Sequence, residues 1–420
     1  MGKKPALLLS FVLLVTVSFF LSRTVFFPAK TSSQEKDYEV YQGVSYQAVD
    51  SEDFDISVIT SSLNAPTRVR LSPNGNRLFA SQLTGEVLVL EKKQSAWSEP
   101  KIISKVETKF PGFPPEEGGL AGISLSHNFE TDGKIFLFYT YKNQDGIIKN
   151  RIAAIRVFNF LGKTIATKPK QIFEANADGN ASHQITDGYS LDIEGKPHLM
   201  FVLGEGFEAE RALDPNLEAG KVMLIQHTGE DPLGKRPFEE NPRIEAIGIR
   251  NAFVLTKDAF DDKGRFIVAD TGPSKYDRLI YAKLAQGTPF NFLWDGEEST
   301  LARAIPDPTD TTFEDIVISR LPETRTFTGV VFSKDSKIYT TVFGQTGSPS
   351  NTPGKEIWEG TITREIDEGI QFKPIIVRAE EAEGMLGNTL GLAYDEDSGT
   401  FYFLDIMEGR LYQAKGGDKN

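Results

Sequence analysis

The chain has 420 residues, of which 39% are apolar and 25% charged, with a net charge of -13 and no cysteine. That balance fits one large globular domain or two ordinary ones, and it excludes disulfides, thiolate metal sites and a cysteine nucleophile. An acidic surface repels phosphate backbones and anionic lipid, so no nucleic-acid partner is expected.

At the N-terminus, Lys3 and Lys4 precede an apolar run from Pro5 to Leu21, broken only by Ser10, Thr16 and Ser18. Such a run fits an export signal or a short membrane anchor, and no small-residue cleavage site follows it. Residues 1–30 are therefore expected to form a hydrophobic signal or anchor helix. Residues 31–54 read as a polar tether, 55–415 as the folded body and 416–420 as a tail. The body is expected outside the cytoplasm, secreted or anchored, touching the membrane only through the N-terminal segment.

From Ile56 to Gln413 one phrase recurs: a short apolar strand, a turn rich in Asp, Asn or Gly, then a second apolar strand. The copies begin at Arg68, Leu120, Tyr189, Asn251, Thr328 and Thr389, about 50 to 80 residues apart, and most are followed by a further strand such as Gly85–Glu91. The pattern predicts an all-β, six-bladed β-propeller with four-stranded antiparallel blades. The last copy ends near the C-terminus, so Phe54–Thr60 is expected to complete its blade and latch the ring. The 30 Phe and 12 Tyr follow strand alternation and are expected between blades.

The fourth copy carries the most chemistry. Arg250 and Asn251 stand at one strand start, and Gly272-Pro273 follow the end of the neighbouring strand. An arginine and an amide beside open backbone carbonyls suit an anionic cofactor next to a hard cation. Of the four histidines, His183 lies in a loop beside a strand start. His127 and His198 read as structural and His227 as solvent-facing. Asp258, Asp261 and Asp262 lack the glycine and terminal glutamate of a calcium loop and read as a solvated turn.

The order of motifs resembles the soluble quinoprotein glucose/sorbosone dehydrogenases over most of residues 56–413. The matching segments are Glu117-Gly-Gly-Leu-Ala-Gly-Ile-Ser-Leu-Ser-His-Asn-Phe129, Gly220-Lys-Val-Met-Leu-Ile225, Ile247-Gly-Ile-Arg-Asn251, Thr271-Gly-Pro273 and Asn291-Phe-Leu-Trp294. The resemblance implies pyrroloquinoline quinone (PQQ) and calcium at the mouth of the propeller channel, a sugar or alcohol substrate and an external electron acceptor. It implies His183 as base, Glu205 as its orienting carboxylate, and Arg250 with Asn251 on the quinone. Glu117 and Thr271 would stand at the cofactor rim, with Gly272 and Pro273 as calcium-binding carbonyls.

Several positions depart from the family pattern. Four residues separate His183 from Gly188, which leaves Asp187 nearest the base's motif position. Ile249, Ala252 and Arg278 replace a histidine, a proline and a carboxylate. Thr340–Gly344 and Asn388–Gly391 stand where two blades would carry basic residues, with Arg325 and Lys355 as candidate substitutes. The alternative reading is a non-catalytic cell-surface propeller that binds a glycan or protein partner.

Overall fold

The computed structural model describes residues 43–50, 53–108, 117–180, 182–260, 265–282, 290–303, 317–321, 324–344, 354–362, 370–382 and 388–417. The expected N-terminal helix, residues 31–42, 51 and 52 of the tether, Asp261, Asp262 and the last three residues of the tail lie outside them.

Six sheets form the body, each built on a ladder of four antiparallel strands. Their innermost strands are Pro66–Leu71, Leu120–Leu125, Ile185–Ile193, Ala252–Lys257, Phe327–Phe332 and Thr389–Asp395, and each packs against the next around the axis. This is the expected six-bladed propeller. Blades are numbered here from one to six in that order. The ring closes as expected: Phe54–Thr60 pairs antiparallel with Arg410–Gly416, with Phe54 opposite Gly416 and Val58 opposite Tyr412.

The apolar core is six wedges rather than one nucleus, because alternation along each strand sends side chains to both faces of a blade. Phe79, Val89, Leu120 and Leu137 fill the gap between blades one and two. Tyr189, Val222, Leu255 and Phe266 fill the gap between three and four. Tyr339, Ile357, Phe401 and Phe403 fill the gap between five and six. The plentiful aromatic residues therefore stand where strand alternation puts them.

Around the axis, threonines tie neighbouring blades together. Thr67, Thr186 and Thr328 are each the second residue of an inner strand, in blades one, three and five. Their hydroxyls donate to the carbonyls of Leu120 (2.8 Å), Ala252 (2.5 Å) and Thr389 (3.1 Å), each the first residue of the next inner strand. Arg68 spans the axis itself. It is 2% exposed and donates to the Phe253 carbonyl at 2.7 Å and to that of Thr328. It also lies 3.7 Å from the Asp187 carboxylate, which Arg70 holds at 2.7 Å. The residue nearest the base's motif position is thus bound in a buried axial ion pair.

Within the stretch expected as a tether, Tyr46–Ala48 adds a strand to the edge of blade five, with Tyr46 opposite Arg378. The Tyr46 hydroxyl donates to Asp405 at 2.7 Å, and Arg378 bridges Asp405 (3.4 Å) and Glu408 (2.7 Å).

Thr186→Val keeps the shape of the side chain and removes one inter-blade hydrogen bond. It is expected to lower the unfolding free energy by about 1–3 kcal/mol, the range for losing a buried hydrogen bond and stranding its partner, as measured by urea denaturation.

Candidate active site at the channel mouth

All six inner strands start, and all six second strands end, on the same face of the ring, so residues flanking these positions gather at one mouth. His183 precedes the inner strand of blade three and Glu205 follows its second strand, Lys196–Leu203. Their side chains meet: His183 Nδ1 lies 2.6 Å from Glu205 Oε2, with the residues 4% and 2% exposed. A carboxylate only accepts, so Nδ1 carries the proton, and in the neutral ring Nε2 has the free lone pair. The backbone of His183 is left-handed, φ 58°, and its N–H donates to Glu117 at 3.0 Å. Gly204 permits this close approach, since a Cβ there would sit 2.6 Å from the His183 carbonyl oxygen.

Glu205 is tied in turn to blade four, because its N–H donates to the Arg250 carbonyl at 2.9 Å. The Asp270 carboxylate accepts the N–H groups of Arg250 (3.2 and 3.3 Å to its two oxygens) and Asn251 (2.7 Å). Arg278, fully buried, neutralises Asp270 and donates to the Phe292 carbonyl. Arg278, standing where the resemblance implied a carboxylate, therefore braces the turn at Arg250 through Asp270. The Arg250 guanidinium is half-buried, donates to the Thr271 carbonyl at 2.8 Å and lies 5.7 Å from the centre of the Trp294 ring. Beside it, Asn251 Oδ1 and Trp294 Nε1 are buried without a hydrogen-bond partner among the described residues.

Asp277 shapes the Gly272-Pro273 turn. One of its oxygens accepts the Gly272 N–H at 2.9 Å, and the other accepts those of Arg325 and Thr326 at 2.6 Å each, joining blades four and five. A Cβ on Gly272 would fall 1.8 Å from the Lys275 carbonyl, so only glycine fits. Gly272 is buried and Pro273 exposed. Among the described residues no three His, Asp or Glu side chains gather where they could hold a metal. Lys221, from the Gly-Lys motif, is fully buried and donates to the carbonyls of Arg211, Ala212 and Ala219 at 2.6, 2.9 and 2.7 Å. It pins the loop behind Gly204, to which Gly220 N–H donates at 3.0 Å.

One site residue was not anticipated from sequence. The Phe207 ring lies over His183 at 4.1 Å between centroids, tilted 34°, with left-handed backbone (φ 64°) and 56% exposure. The only local signal is its place two residues after Glu205. Two expectations are corrected. His227 is 4% exposed rather than solvent-facing, because its N–H returns to the Pro197 carbonyl and tucks the ring between Ser190 and Phe136. Burial and the nearby Lys134 push its pKa down to about 4. Asp258 is 8% exposed and accepts the Tyr281 hydroxyl at 2.6 Å, so it belongs to a packed turn. His198 is buried, as expected of a structural residue, and His127 is exposed and bonded to Ser190 at 2.7 Å.

A family model described as glucose/sorbosone dehydrogenase matches residues 63–291, more than half of the chain. The chain belongs to the glucose/sorbosone dehydrogenase family. No curated protein sequence matches it. Among solved structures, a glucose dehydrogenase superposes with TM-score 0.67 at 16% identity, covering 87% of this chain and 100% of the other. The PQQ-bound aldose sugar dehydrogenase of Streptomyces coelicolor gives 0.61 at 17%, covering 87% and 99%. The apo-form soluble aldose sugar dehydrogenase of Escherichia coli gives 0.63 at 17%, covering 86% and 99%. At such identities these likenesses establish the propeller fold.

Burial pushes the Asp277 carboxyl up to about 6, against the pull of three backbone N–H donors. Its folded pKa thus lies above the unfolded value, so the folded chain holds an extra proton between the two. This group's stabilising contribution is complete below about pH 4 and is lost as pH rises through 6. Asp277→Asn is expected to flatten the pH dependence of unfolding free energy across that window, measured by urea denaturation at stepped pH.

Proposed function

We propose that this protein is a quinone-dependent dehydrogenase that oxidises a hydroxyl group of a sugar or related alcohol at the channel mouth, with PQQ and calcium as cofactors and His183 as base. The observation that carries the reading is the linkage of His183, Glu205 and Arg250, which the 2.6 Å imidazole–carboxylate contact and the Glu205 N–H to Arg250 carbonyl bond join into one unit. Family membership supports the same reaction class.

The residues present suit the cofactor. PQQ is a planar heterocycle with three carboxylates and a ring N–H. Arg250 offers a guanidinium beside it, while Asn251 Oδ1 and Trp294 Nε1 are an acceptor and a donor without partners among the described residues. Buried polar atoms without partners are uncommon and call for an explanation. Lys355, half-buried just before the third strand of blade five, has its N–H bonded to the Val342 carbonyl at 2.7 Å and its ammonium near Arg378, Asp405 and Glu408. Burial and the neighbouring Arg378 pull its pKa down. The carbonyls of Gly272 and Pro273 would supply oxygen ligands for calcium.

When bound, the quinone supplies the hydride acceptor. His183 Nε2 receives the hydroxyl proton, and Glu205 holds the ring in the required tautomer and stabilises the imidazolium. Phe207 presents an open ring face beside the base, where the C–H surface of a sugar can pack. The Lys3-Lys4 and apolar start of the chain supports export, with an external molecule as final electron acceptor.

The test is titration of the full chain with PQQ and calcium, followed by dye reduction with a panel of aldoses. A saturable cofactor spectrum and sugar-dependent dye reduction are expected. Arg250→Ala should weaken cofactor binding by about 10- to 100-fold, the worth of one charge-assisted hydrogen bond. His183→Ala should keep the cofactor spectrum and lose about 10²- to 10⁴-fold in kcat. Absence of both cofactor spectrum and dye reduction overturns the proposal.

A further inference from the structure

The third strand of blade two is longer than the blade that holds it. Ile148–Phe160 has 13 residues, and its pairing with the second strand runs only from Ile148 opposite Lys142 to Arg156 opposite Lys134. The Lys142 end is the mouth, so the remainder projects from the opposite face of the propeller. There its strand partner is Lys163–Ala166, Phe158 facing Ile165 and Phe160 facing Lys163.

Strand alternation gives this hairpin two unlike faces. Val157 is buried, and Thr164 donates to Glu91 of blade one, so one face leans on the neighbouring blade. The other face presents Arg156, Phe158, Phe160, Lys163 and Ile165. Phe158 is 41% exposed and Phe160 56%, and Leu161 at the tip is 86% exposed. Leu161 and Gly162 both have positive φ, 50° and 74°. That two-residue turn favours Asn-Gly, because a branched side chain is crowded in the left-handed region. Leucine stands in that strained position while making little use of the protein interior.

Charge sets the hairpin apart as well. Between Ile147 and Ile172 the sequence holds Lys149, Arg151, Arg156, Lys163, Lys168 and Lys170 and no Asp or Glu, within a chain of net charge -13. Lys149 pairs with Asp178 and Arg151 with Glu174, whereas the other four cations are exposed and form no ion pair with a described residue.

We propose that this hairpin is a membrane-contact element, whose Phe158, Phe160 and Leu161 enter the interfacial layer of a bilayer while anionic headgroups neutralise Arg156, Lys163, Lys168 and Lys170. The tip is convex and projecting, and its cations stand behind the apolar side chains, where long stems reach back to headgroups. Screening limits the reach of the chain's overall acidity to about 8 Å at physiological salt, so the local charge decides what this face meets. Membrane contact through the folded body differs from the expectation that only the N-terminal segment would touch lipid. The site on the mouth face would then look away from the membrane, toward soluble substrate.

Leu161→Trp in the full chain places a fluorophore at the tip, and Ile147→Trp places one at the mouth end of the same strand, where Ile147 is 39% exposed. Both are mixed with vesicles of brominated phosphatidylcholine, with and without phosphatidylglycerol, and read against the unsubstituted protein. The added fluorescence of Leu161→Trp should be quenched at least about twofold more than that of Ile147→Trp, and more strongly with phosphatidylglycerol. Adding Arg156→Glu and Lys163→Glu should raise the lipid concentration needed by roughly tenfold. Equal quenching at both positions, or indifference to phosphatidylglycerol and to the charge reversal, overturns the proposal. A protein partner at this hairpin would give that second result.

Discussion

Three hydroxyls hold alternate blades to their neighbours at the narrowest point of the ring. Thr67, Thr186 and Thr328 occupy the same place in their repeats and donate to the same place in the next repeat. A propeller's inner strands cannot hydrogen-bond to one another as a continuous sheet, because each belongs to its own blade. Side chains must bridge them, and a short β-branched hydroxyl fits a strand while reaching one residue sideways. The wedges of aromatic and aliphatic side chains then fill the widening gaps outside this ring. Closure by Phe54–Thr60 supplies the fourth strand of blade six and covers the edge of Arg410–Gly416.

Because the inner strands share a direction, chemistry distant in sequence is delivered to one face. The mouth is organised by carboxylates that bind backbone N–H groups: Glu117 on His183, Asp270 on Arg250 and Asn251, Asp277 on Gly272, Arg325 and Thr326. Each anion fixes the entry to a strand, and Arg278 supplies the buried counter-charge to Asp270. The loops stay in place because the backbone is held directly. Glu205 is the exception, since its side chain is kept for an imidazole.

The architecture was legible because strand, turn and strand recur with glycine and acidic turns, and because the period-2 pattern survives in every copy. Pairing His183 with Glu205 was legible only through family resemblance, since 22 positions separate them and no local pattern joins them. Phe207 was hidden among 30 phenylalanines, and its residue type gives no signal of its left-handed backbone beside Gly206. Asp187 looked like a stand-in for the base because spacing says nothing about charge partners, and Arg68 and Arg70 lie more than a hundred residues away. His227 was misplaced for a related reason: the backbone bond that turns it inward joins two strands of a blade. The threonine pattern was visible, but only to a reader who had already aligned the repeats.

Arg68 has a consequence for traffic. Its guanidinium crosses from blade one to carbonyls of blades four and five and to the Asp187 carboxylate of blade three, filling the axis with one immobilised side chain. The axis is therefore obstructed there, and His183 is approached from the mouth. In the proposed reaction, the sugar and the electron acceptor then share one doorway. The two half-reactions of that proposal would then draw on the same face of the ring.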